Sequence, residues 1–66
     1  MTNAELLESK IKDLGMTITS VAGKMGITRA GFYKKLHNCS EFKASEIIKL
    51  SAILSLSEAE REKIFF

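Results

Sequence analysis

Residues 19–32 read Thr19-Ser20-Val21-Ala22-Gly23-Lys24-Met25-Gly26-Ile27-Thr28-Arg29-Ala30-Gly31-Phe32, and this stretch decides the fold. Val21, Ala22 and Met25 recur at helical spacing, with Thr17 just upstream as a hydroxyl cap, so a short helix is expected over about residues 18–25. Gly26 ends it, because glycine enters the left-handed region without a Cβ penalty. Only Gly26 and Ile27 separate this helix from the next cap, Thr28. So short a connection forces a sharp corner. A third helix then spans about 28–37, with Phe32 and Leu36 on one side at i and i+4. Ala22, four positions before Gly26, is small where the two helices cross.

The flanks continue the helical pattern. Ala4, Leu7, Ile11 and Leu14 step by three and four, which places helix 1 at about 3–14. Thr2 with Glu5 resembles a capping box at its start, and Gly15 is its stop. Residues 38–43 lack periodicity and form a loop from which Phe42 plugs the core. Ile47, Leu50 and Leu54, widened by Ile48 and Ile53, set helix 4 at about 44–54. Ser57 with Glu60 opens a last helix running through Phe66. No segment alternates as a strand does. The expectation is one all-α domain over 1–66, a compact five-helix bundle.

The chain has 66 residues, 45% of them hydrophobic and 27% charged, which fits a globular chain and not a disordered one. A single cysteine makes no internal disulfide, and His37 with Cys39 cannot supply four zinc ligands. No apolar run reaches a membrane span and no signal-peptide order opens the chain, so the expected location is cytoplasmic. No paired-carboxylate pocket or phosphate-cradling glycine loop is visible, so no enzyme and no cofactor are expected. The His37–Cys39 pair lacks a third orienting group and reads as incidental. Met1, Met16 and Met25 read as gap-fillers.

The net charge of +2 is unevenly spread. Residues 24–43 carry Lys24, Arg29, Lys34, Lys35 and Lys43 against Glu41 alone and net +4, while the segments on either side net −1 each. A local positive field suits a polyanion, nucleic acid first.

Two short helices around a tight glycine corner make a helix-turn-helix candidate. Residues 19–32, continued by Phe32-Tyr33-Lys34-Lys35-Leu36, Phe42 and Ser45-Glu46-Ile47-Ile48-Lys49-Leu50, resemble the lambda-repressor-like, Cro-like regulators of phages and prophages (XRE type). The ending Glu62-Lys63-Ile64-Phe65-Phe66 is similar to the same group. One departure stands out: the family often buries an apolar residue where this chain has Lys35, and Leu36 takes that role here. The resemblance implies a compact five-helix fold, binding to double-stranded operator DNA and a homodimer on a two-fold site. With no segment left for a small-molecule effector domain, the expected type is the Cro-like repressor.

On that basis Thr17, Thr19, Lys24, His37, Asn38, Ser40 and Lys43 take phosphates, and Thr28, Arg29, Ala30, Tyr33 and Lys34 read bases from helix 3. Arg29 suits guanine O6 and N7, the commonest specific contact in the major groove. Tyr33 has a second reading, packing its ring on helix 3 or 4, and His37 a second one as a helix C-cap. Gly31 allows close approach to helix 2 or to DNA. Glu58, Glu60 and Glu62 solvate helix 5. Ile64, Phe65 and Phe66 form the expected dimer face, part of it folding back on helix 1. The competing function is a protein-interaction module, such as an antitoxin or adaptor, on the same fold.

Overall fold

The computed structural model describes all 66 residues. The chain forms five helices and no strands: α1 (Ala4–Asp13), α2 (Ile18–Met25), α3 (Arg29–Leu36), α4 (Ala44–Ile53) and α5 (Glu58–Phe65). They enclose one core of twelve buried apolar side chains, drawn from every helix and from Phe42 in the α3–α4 loop. The molecule measures 27 × 24 × 20 Å. No helix is long and apolar enough to cross a membrane.

The starts of the helices follow from side-chain oxygens. Thr17 accepts from the Ser20 amide and Ser20 returns the bond to the Thr17 amide, closing a capping box on α2. Thr28 accepts from the Gly31 amide at 3.0 Å, and Ser57 with Glu60 closes a second box on α5. The expected cap of α1 is corrected. Asn3, not Thr2, accepts from the Leu6 amide, while the Thr2 amide is engaged elsewhere, on the side chain of Asn38.

The stops share one geometry. Gly15, Gly26, Asn38 and Ser55 are the four residues with positive φ. Each sits where the next amide reaches back five residues: Met16 to Ile11, Ile27 to Ala22, Cys39 to Lys34 and Leu56 to Ser51. These are Schellman stops, which satisfy carbonyls that a helix end would leave bare. The corner between α2 and α3 is therefore fixed by Gly26 at φ 76° and by the Thr28 cap. The Lys49 ammonium on α4 adds a long 3.4 Å bond to the Met25 carbonyl at the end of α2.

Packing sets the rotation of α3. Phe32 and Leu36 are wholly buried. The Phe32 ring meets Phe42 edge-on at 5.7 Å, and Phe42 meets Phe65 at 5.5 Å, so one aromatic chain ties α3 to α5. Such pairs contribute about 0.5–1.5 kcal/mol each beyond burial. Lys35 is half-buried and pairs with Glu46 at 2.9 Å. That pair, and a bond from the Lys43 amide, hold the Glu46 carboxyl below its ordinary range.

Several expectations are corrected by burial. Leu14 falls beyond the last turn of α1 and is exposed, and Ile48 does not widen the core but faces outward at 66% exposure. Met1 is exposed and fills no gap, whereas Met25 is buried and Met16 packs on the core. At Gly31 a Cβ would come within 3.1 Å of the Thr28 hydroxyl and within 4 Å of nothing on α2, so its smallness serves the cap and not an approach to helix 2. Glu60 does more than solvate α5, since it also pairs with Lys10 of α1 at 2.9 Å.

Candidate nucleic-acid interface

On a helix of eight residues, two that are wholly buried dictate what faces out. With Phe32 and Leu36 inward, the 100° advance per residue puts Ala30 and Lys34 on the opposite arc and Tyr33 on its flank. Arg29, three positions before Phe32, lies on the Phe32–Leu36 side and is freed by its place at the helix start; all four are exposed. Ala30, Tyr33 and Lys34 of the expected base-reading set thus share the outward side of α3, with Arg29 and the exposed Thr28 cap at its leading end. No acidic residue lies in α3.

Ion pairing sorts the cations. Of the five between residues 24 and 43, only Lys35 has a carboxylate within 4.0 Å, and it is the one turned inward. Lys24, Arg29, Lys34 and Lys43 are exposed and unpaired. Free ammonium and guanidinium groups keep their full capacity for an external anion, which a paired group has partly spent. Thr17 and Thr19 are exposed at the start of α2, where first-turn amides lack intrahelical acceptors and favour an anion. Ser40 is exposed in the loop after α3.

Two expected phosphate ligands are otherwise engaged. Asn38 accepts from the Thr2 amide at 2.8 Å and donates to the Thr2 carbonyl at 3.0 Å. Its side chain straps the N-terminal segment to the end of α3. His37 is the C-cap of α3. Its Nε2 lies 3.7 Å from Glu8 Oε1 on α1, and its ring lies 4.2 Å from that of Tyr33. Tyr33 therefore packs on its own helix while staying 48% exposed.

The expected dimer face is corrected as well. Ile64 and Phe65 are 3% and 4% exposed and belong to the molecule's own core. Phe66 alone of the three faces out, at 83% exposure. It borders a shallow cleft with Ala44, Ile47, Ile48 and Arg61. Ile48 was missed as a surface residue because helix periodicity cannot say how wide a buried stripe is. The role of Glu8 had no local signal at all, since it faces a residue on another helix. No group of three His, Cys, Asp or Glu side chains is placed to hold a metal ion. Comparison with family models, with curated proteins and with solved structures returns no match.

Proposed function

We propose that this chain is a sequence-specific double-stranded-DNA-binding transcriptional regulator of the Cro-like kind, in which α2 and α3 form the helix-turn-helix. The observation that carries the reading is the set of four unpaired, exposed cations: Lys24 in the last turn of α2, Arg29 and Lys34 on α3, and Lys43 at the start of α4. The first turns of α3 enter the major groove. Arg29 takes guanine, Thr28 and Ala30 meet a thymine methyl, and Lys34 takes guanine or phosphate. Thr17, Thr19, Lys24, Ser40 and Lys43 grip the two backbones and set register.

Two copies act together on a two-fold site. Half-sites one turn apart put the reading helices about 34 Å from each other, more than the 27 Å longest extent of the molecule, so two copies meet only where the bulk of each lies between α3 and the two-fold axis. The uncharged outward stripe of α4, Ala44, Ile48 and Ala52, with Phe66 beside it, suits an isologous contact. Selection from a random duplex pool, followed by titration of the enriched site against salt, tests the proposal. Enrichment of a symmetric sequence, with affinity falling steeply as salt rises, is expected. Retention of no duplex, together with salt-insensitive capture of a protein partner, would overturn it in favour of an interaction module.

A further inference from the structure

We infer that His37 is a positioning residue that fixes the ring of Tyr33 on the reading face of α3, and that Glu8 of α1 holds His37 in place; its effect on base choice rests on the DNA-binding reading above. The geometry is a relay across two helices. Glu8 Oε1 lies 3.7 Å from His37 Nε2, and the imidazole lies 4.2 Å from the phenol ring, tilted by 48°. Arg29, Tyr33 and His37 follow each other at i, i+4 and i+8, so they share one stripe of the helix. Side chains on a helix lean toward its N-terminus. His37 therefore leans over the turn that carries Tyr33, and Tyr33 over the turn that carries Arg29.

The ring of Tyr33 needs such support. It is half exposed and contacts no other aromatic ring, so without the imidazole several rotamers open to it and base contact would cost their loss. The backbone assists, because the His37 amide donates to the Tyr33 carbonyl at 3.0 Å and sets the imidazole at the end of the helix. Around His37 the charged groups are few. Glu8 is the one carboxylate within 4.0 Å, Lys35 of the same helix is turned away to Glu46, and Lys34 faces out.

The chain carries one tyrosine and no tryptophan, so intrinsic emission reports on Tyr33 alone. The experiment compares wild type, His37→Ala, His37→Phe and Glu8→Gln by two readouts. These are the access of acrylamide to Tyr33 in the free protein, read as quenching of tyrosine emission, and base preference in a random duplex pool. In wild type and His37→Phe the ring is partly shielded from the quencher, and in His37→Ala it is more open. His37→Ala lowers the preference at one half-site position by about 2- to 10-fold, the worth of a ring contact, with the salt slope unchanged. His37→Phe, which keeps a ring but no charge, restores that preference, and Glu8→Gln gives a smaller loss at the same position. A Tyr33 no more open to quencher in His37→Ala than in wild type, or a His37→Ala protein with wild-type base preference, would overturn the inference. A ring shielded by His37 in a protein that enriches no sequence would instead sink the DNA-binding reading and the effect on base choice with it, while the ring contact itself stands.

Discussion

Arg29 is the first residue of α3 and nothing in the molecule holds its guanidinium. A fork of donors kept free at a helix start is suited to a guanine edge, and on the proposed reading its removal deletes a base contact without touching the core. Arg29→Ala is expected to leave the melting temperature unchanged, weaken cognate binding by about 1–3 kcal/mol and relax preference at one position in each half-site. Titration of cognate and scrambled duplexes measures this, and an unchanged ratio between them would remove Arg29 from the reading face. That Ala30 and Lys34 would face outward was legible in the sequence, because Phe32 and Leu36 at i and i+4 fix the opposite side; Arg29 lies three before Phe32, on the buried side of the wheel, and is exposed because it begins the helix. The engagement of Asn38 was not legible, since its partner Thr2 lies 36 positions away and no local pattern encodes such a contact. The same holds for Glu8 facing His37. Side chains that define a helix face are readable, and those that bond between elements are not.

At the scale of elements, every helix was legible, and the caps Thr17, Thr28 and Ser57 fell where hydroxyls precede apolar periods. Two of the four stops carry glycine and could be read directly. The other two fall on Asn38 and Ser55, where the chain accepts strain that the sequence does not advertise. Ser55 at φ 50° is the costlier, since asparagine tolerates the left-handed region better. Ser55→Gly should therefore raise stability by about 1 kcal/mol, seen as a melting temperature higher by about 4–8 °C for a domain of this size. A second expectation concerns α5. The Ser57 amide, and then the Lys10 ammonium, hold the Glu60 carboxyl down at about 2, against an ordinary value of 4.5. Between those two values the unfolded chain binds the proton more readily than the folded one, so stability falls as pH is lowered through that window. Above it, the contribution is fully present. Glu60→Gln should flatten the dependence of stability on pH between 4.5 and about 2, as followed by urea unfolding at each pH. An identical slope in both proteins would mean that the carboxyl is not held by these partners.

For the molecule as a whole, the proposed reading raises two questions, what the chain grips and how it pairs. Charge bears on the first: residues 24–43 net +4 between segments that net −1, and the fold turns one of those cations inward and leaves four outside. For the second, the end of the chain was legible in part. A chain ending in Ile64, Phe65 and Phe66 advertises an apolar patch, but two of the three complete the core, through Phe65 on Phe42 and through the Asn3 amide on the Ile64 carbonyl. What remains outside is Phe66 and, next to it, Ile48, which the sequence counted as interior. A self-complementary contact buries each side chain twice, once per copy, so a single substitution is felt doubly. Ile48 contributes little to the free fold at its exposure, and Ile48→Ser is expected to shift stability by no more than about 0.5 kcal/mol. On a symmetric duplex its apparent affinity should fall by about 10- to 100-fold, with binding to an isolated half-site unchanged. Sedimentation on the two duplexes separates the cases: two copies of wild type on the symmetric site at concentrations where the variant still loads one. Cooperative loading that survives the substitution would show that the α4 stripe is not the contact between copies.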